Sequence, residues 1–291
     1  MGPYRLVERL ERTDALDGVA GAVQRNAQAV YRPGALKDAL SGTWLGHPLH
    51  PLLILMPLGC WTSASFLDLA GGPGSRAAAD RLLAAGVVSA LPTAAAGASD
   101  WSDTEGAERR VGFVHALGNS AALVCFTASW VARKRGRRAK GVALALAGHA
   151  FAGFSGYLGG HLTYATGVGV DTTAFQSGPE DWTPVLDADE VPEGRAVGAD
   201  VGGVRLLLVR DGSEVRALAA RCTHRGGPLD EGDVADGCVT CPWHGSRFEL
   251  ATGDIARGPA TSPQPAYETR VVAGRVEVRR SEPRDGRHPA V

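Results

Sequence analysis

Four long apolar runs and a series of short alternating ones divide the chain. Residues 48–67 carry no charged side chain, and further runs cover 82–98, 111–132 and 142–164. Each is close to the length that crosses a ~30 Å hydrocarbon core at 1.5 Å per residue, the second being the shortest. None has Asp, Glu, Lys or Arg at its centre, so the pattern predicts four transmembrane helices within 47–164. Before them, Leu6, Val7 and Leu10 sit at helical spacing among charges, and a second helical stretch runs from Val19 to Val30 until Pro33-Gly34 interrupts it. Residues 1–46 therefore read as a helical arm, solvated or lying at the interface. No continuous apolar stretch follows the first basic residues, so no cleavable signal peptide is expected.

After the last apolar run the period changes. Residues 165–181 form a Gly/Thr/Ser-rich linker, and 182–280 contain short β-branched or apolar runs separated by turns. Asp211-Gly212 between Val204–Val209 and Val215–Ala219 is a strong hairpin signal, and Ala273-Gly274 marks a closing hairpin. The expected fold class is a four-helix transmembrane bundle followed by a small antiparallel all-β domain, with 281–291 as a disordered polar tail.

Charge refines this picture. A net charge of −1 over 291 residues excludes a nucleic-acid-binding surface, which needs a basic excess. Five cysteines offer no disulfide framework. Six cations crowd residues 133–140, while Asp100, Asp103, Glu105 and Glu108 offset Arg109 and Arg110 in the preceding connection. Positive charge marks the cytoplasmic side, which puts both termini and the β domain outside a prokaryotic cell membrane. Arg137-Arg138 is a candidate twin-arginine export signal, and Trp44, Trp101 and Trp130 fall at interfacial depth.

The β domain holds the chemistry. Cys222 and His224 form a C-x-H pair, Cys241 and His244 a C-x-x-H pair, and the two pairs must meet from two loops. Two thiolates with two imidazoles suit tetrahedral zinc or a mixed-ligand [2Fe–2S] cluster. The surrounding Cys222, His224, Gly226 and Leu229, then Cys241, Pro242, His244, Gly245 and Phe248, resemble the two cluster-binding loops of the Rieske family over roughly residues 182–280. The resemblance implies a [2Fe–2S] cluster, with Cys222 and Cys241 on one iron and His224 and His244 on the other. It also implies that Ser246 stands near a bridging sulfur. Phe248 replaces a tyrosine donor of high-potential relatives, and Gly227 and Trp243 replace their disulfide. Those departures resemble the ferredoxin type, commonly cytosolic, and imply a potential below that of quinol-oxidising members, within about −150 to +300 mV.

Histidines are the second feature of the apolar half. By helix direction, His47, His50, His115 and His161 gather at the membrane face from which the β domain hangs; His149 lies towards the other end. Ionisable groups inside membrane helices are functional candidates. Three readings stand: axial ligands to b-type haem, a quinol pocket, or structural histidines. Residues 44–166 also resemble an uncharacterised family of four-helix membrane domains, through His47-Pro48 and His50-Pro51. Gly148, Ala152, Gly156 and Gly160 form a small-residue stripe for helix packing.

The function these features point to is a membrane-anchored electron carrier. It passes single electrons between its cluster and a haem or quinol, with a redox protein or quinone as partner, lipid around it and a larger complex or oligomer as its setting. The alternative is a redox sensor or tethered ferredoxin with a passive anchor. An oxygenase needs a large mononuclear-iron domain after the cluster, and the chain runs only from His244 to Val291.

Overall fold

The computed structural model describes residues 2–281; the expected disordered tail lies almost wholly outside them. The chain falls into two compact units, one built from residues 1–31 and 49–168 and the other from 32–48 and 169–291. The residues read as a single N-terminal arm are thus shared between two units.

The first unit is helical. Helices α1 (Pro3–Glu11) and α2 (Asp17–Val30) precede the bundle, and helix α3 (Ala35–Ser41) belongs to the other unit. The bundle comprises α4 (Leu49–Ala70), α5 (Arg76–Trp101), α6 (Gly106–Lys134) and α7 (Arg138–Tyr164). All four are long and apolar enough to cross a membrane. Their outer faces are apolar too: Leu55, Phe66, Val88 and Val124 are each 67% exposed. A bundle with oil on its outside is suited to lipid rather than water.

Of the two settings expected for the arm, solvated or lying at the interface, the first does not hold for α1 and α2, which pack on this bundle. Val7 is buried with Val111 and Leu158, His161 bonds Glu11, and Gln24 donates to the carbonyls of Trp101 and Thr104. Asp17 meets Arg109 and Arg110 at 2.9 and 2.6 Å, and those guanidinium groups hold its carboxyl well below the usual range. Pro57 lacks an N–H, which frees the Leu53 carbonyl four residues back; the Thr93 hydroxyl of α5 donates to it at 3.2 Å. At the opposite end, Asp68 and Asp80 meet Arg133 and Arg138 in one four-residue network, with Arg133 Nη2 2.6 Å from Asp68 Oδ2.

The second unit is the all-β part. A six-stranded antiparallel sheet runs β1 (Thr183–Asp187), β10 (Arg275–Arg280), β9 (Ala266–Val272), β4 (Glu214–Ala219), β3 (Val204–Asp211), β2 (Val197–Val201). A four-stranded sheet follows the order β5 (Asp233–Ala235), β6 (Cys238–Thr240), β7 (Arg247–Glu249), β8 (Ile255–Arg257). Both hairpins read from the sequence form. Asp211 pairs with Glu214 across Gly212, whose φ is +63°, and Ala273 and Gly274 both take positive φ in the β9–β10 turn. One core lies between the sheets, where Leu207, Leu218, Val239, Phe248 and Leu250 pack beside Cys222 and Cys241.

Candidate metal centre

Two loops of the same construction carry the four candidate ligands. In the first, Cys222 N donates to Gly227 O and Gly226 N to Cys222 O; in the second, Cys241 N donates to Ser246 O and Gly245 N to Cys241 O. Each turn closes on a glycine with φ near +75°, Gly226 and Gly245, a conformation that costs any residue with a Cβ. Each sulfur accepts backbone N–H groups, from His224 and Arg225 in one loop and from Trp243 and His244 in the other. Such nests favour thiolate. The two thiols lie within hydrogen-bonding reach, so they share a proton: Cys241 falls to about 7 while Cys222 is pushed up.

The histidine rings of the two loops stand 5.1 Å apart, nearly perpendicular. Burial pushes the His224 imidazole well below its ordinary pKa, and the charges of His244, Lys37 and Arg225 push it further. A neutral imidazole is the form that binds metal. Thiols pair with thiols and imidazoles with imidazoles, and among the described residues no three His, Cys, Asp or Glu converge on one ion. A thiol pair and an imidazole pair are the ligand sets that the two irons of a mixed-ligand cluster take.

Three surrounding features shape the centre, and the first and third were invisible in the linear sequence. Gln264 is fully buried; its amide nitrogen donates to the carbonyls of Ala219 and Arg221, and its oxygen accepts the Thr223 N–H. It pins the first loop at Thr223 from 41 residues away, and nothing in its sequence neighbourhood marks it. Gly227 is the second: a Cβ there would lie 2.8 Å from Cys241 Sγ and 3.1 Å from the Trp243 ring. Positions 227 and 243 therefore abut, as the comparison with disulfide-bearing relatives implied, and Trp243 occupies the space.

The third is the segment 32–48, which packs on the cluster loops. Pro33 lies against Gly245, the Gly258 N–H donates to Asp38, and Thr43 Oγ1 donates to Ala260 O at 3.1 Å. Lys37 is 2% exposed. Ser246, also fully buried, accepts the Ala260 N–H at 3.0 Å, which leaves its own O–H to donate.

Replacing Gln264 with leucine unpairs three buried backbone groups, at about 1–3 kcal/mol each. The expected result is a lower thermal midpoint and faster bleaching of the cluster absorbance on warming. An unchanged bleaching rate would count against its role in holding the loop.

Of the four bundle histidines, two come together. His50 and His115 have ring centroids 6.5 Å apart. His161 is instead tied to Glu11 at 2.8 Å, His149 bonds Ser65, and His47 is exposed in the other unit. The small-residue stripe also shifts. Gly148 and Ala152 face inward, but burial continues through Ser155 and Leu158 rather than Gly156 and Gly160, because a four-residue spacing drifts off a 3.6-residue face.

An antiparallel β unit presenting paired Cys/His loops defines an iron–sulfur protein of the mixed-ligand class. Residues 181–268 match the Rieske [2Fe-2S] domain, and residues 46–172 match a family of predicted membrane proteins, DUF2231. The anthranilate 1,2-dioxygenase ferredoxin subunit of Burkholderia cepacia is 36% identical over 98 residues, 34% of this chain and 91% of that protein. Human apoptosis-inducing factor 3 is 33% identical over 97 residues, and the chain spans 16% of its length. The ferredoxin of carbazole 1,9a-dioxygenase from Nocardioides aromaticivorans aligns over 35% of this chain and all of that one, at 29% identity and a TM-score of 0.34. The chain belongs to the Rieske family through its C-terminal part, and its helices resemble the DUF2231 family of predicted membrane proteins. A Rieske domain implies a [2Fe–2S] cluster, and relatives in the family serve as electron-transfer ferredoxins.

Proposed function

We propose that the protein is a membrane-anchored Rieske electron carrier. Cys222 and Cys241 hold one iron of its cluster, and His224 and His244 hold the other. The pairing of thiol with thiol and imidazole with imidazole on matched loops supports this reading best. The cluster exchanges single electrons with a redox partner protein on one side and with a haem or quinol bound by the helical unit on the other. His50 and His115, brought together among the helices, favour that reading over a passive anchor. Ser246 keeps a buried O–H that would donate to a cluster sulfur, and Phe248 would offer no second donor, which would set the potential below that of quinol-oxidising relatives.

Arg133 and Arg138 are neutralised by Asp68 and Asp80, which leaves Lys134, Arg135, Arg137 and Lys140 to mark the cytoplasmic end of the bundle. The chain enters and leaves the bundle for the cluster unit at the other end, through Leu49 and Tyr164, and so on the extracytoplasmic side.

EPR of the dithionite-reduced protein in detergent tests the assignment. A rhombic signal with average g below the free-electron value is expected; its absence from iron-replete protein would sink the reading. Lys37 adds a second expectation. A buried cation beside a histidine ligand stabilises the reduced, more negative cluster. Lys37→Met should therefore lower the midpoint in an EPR redox titration, whereas Lys37→Arg should leave it near wild type.

A further inference from the structure

The helical bundle is an internal repeat. All buried positions of α5 but Ser99 recur 62 residues later in α7: Ala79, Leu83, Gly86, Ala90, Thr93 and Ala96 correspond to Gly141, Ala145, Gly148, Ala152, Ser155 and Leu158. Helices α4 and α6 correspond at a spacing of 65. His50 answers to His115, Cys60 to Cys125, Trp61 to Phe126 and Asp68 to Arg133. Three of these four pairs meet in the bundle. Asp68 and Arg133 form an ion pair, Trp61 and Phe126 stack at 4.0 Å, and the two histidines face each other at 6.5 Å.

The histidines are set by equivalent contacts as well. His50 Nδ1 bonds the Thr93 carbonyl at 2.9 Å, and His115 Nδ1 bonds the corresponding Ser155 carbonyl at 2.7 Å. A carbonyl only accepts, so in both rings Nδ1 carries the proton and Nε2 keeps its lone pair. Each ring also has a matching glycine beside it. A Cβ at Gly97 would come within 2.7 Å of His50, and one at Gly159 within 3.0 Å of His115. Fixing an imidazole by a Nδ1–H bond to a backbone carbonyl is how proteins aim Nε2 at a metal.

We infer that His50 and His115 are the axial pair of a single b-type haem in the helical unit. This inference rests on the proposed electron-transfer function and names the group that the helices bring to it. Two imidazoles flanking one metal at about 2 Å put their ring centres roughly 6 Å apart, and these stand at 6.5 Å. Among the described residues no third His, Cys, Asp or Glu joins them. A bare ion would keep only two protein ligands, whereas a haem iron brings four nitrogens of its own and takes two axial histidines. No C-x-x-C-H stretch is present, so attachment is non-covalent. Asn119 Nδ2 donates to His115 Nε2 at 2.9 Å and must turn away when iron takes that lone pair.

The full-length protein, expressed with a haem precursor and purified in detergent, is assayed by reduced-minus-oxidised spectra and by pyridine haemochrome for haem per chain. Near-stoichiometric haem with a sharp α band is expected. It should fall at least tenfold in His50→Ala and in His115→Ala, and remain in His149→Ala and His161→Ala. His115→Met should retain haem with a shifted α band and a raised potential, which separates ligation from a failure to fold. The Rieske EPR signal should persist throughout. Wild-type protein with that signal but no haem overturns the haem and spares the carrier, as does co-purifying quinone that is lost with His50. Haem without the EPR signal would instead overturn the cluster reading alone.

Discussion

Cys241→Ser is expected to yield protein with no [2Fe–2S] absorbance or EPR signal while its helical circular dichroism stays at the wild-type level. Cys241 is 3% exposed and sits in the core between the two sheets with Val239, Phe248 and Leu250. Serine is nearly isosteric but is a hard, weakly acidic ligand, and it cannot replace the readily ionised sulfur held by the N–H groups of Trp243 and His244. The loop itself is closed by backbone bonds to Ser246 and from Gly245, so the fold around the vacancy should persist. The helices belong to a separate compact unit and should not respond. Iron and sulfide analysis beside the EPR spectrum decides the matter. A retained cluster of unaltered g values would remove Cys241 from the ligand set, and with it the pairing of thiols on which the assignment rests.

The features legible in the sequence were those written locally. Four uncharged runs were enough to place α4 to α7, because the length of an apolar run is itself the signal. Asp211-Gly212 placed a hairpin because a two-residue turn needs positive φ, which Gly212 supplies at its first central position. The ligand loops were readable because their glycines and cysteines are close in sequence. The hidden features act across long separations. Gln264 reaches back to Thr223, and α3 sits on loops more than 180 residues further on, through Pro33, Asp38 and Thr43. A seven-residue helix after Pro33-Gly34 carries too little periodicity to announce which face it buries.

The helical repeat escaped for a different reason. Its two halves are offset by 65 residues in the first helices and 62 in the second, so no single shift aligns them. Most of the equivalent residues match in size or burial rather than identity. Asp68 and Arg133 even have opposite charge, since what is kept across the bundle is a contact and not a residue type. A histidine at each of two equivalent places reads in one dimension as two of four scattered histidines. Only the packing sets His161 and His47 aside.

The same reasoning makes Asp68→Ala the most destabilising single change expected in the helical unit. The Asp68 side chain is fully buried and that of Arg133 is 1% exposed. Removing the aspartate leaves a buried guanidinium without its main counter-charge, and Arg138 also loses its 2.5 Å contact. Breaking one side of a buried pair costs about 3–5 kcal/mol, because the stranded charge keeps its desolvation penalty. Apolar residues at both positions carry no such penalty, so Asp68→Leu combined with Arg133→Met should recover most of the loss. Asp80 still faces Arg138 at 3.1 Å, which should keep the double variant's bundle end closed. Thermal or denaturant unfolding in detergent, followed by helical circular dichroism, measures all three proteins. A single variant as stable as wild type would mean that the four-charge network does not hold this end of the bundle together. A double variant no better than the single would mean that the network contributes attraction beyond its own desolvation. In that case the opposite charges at equivalent positions of the repeat are themselves what joins its two halves.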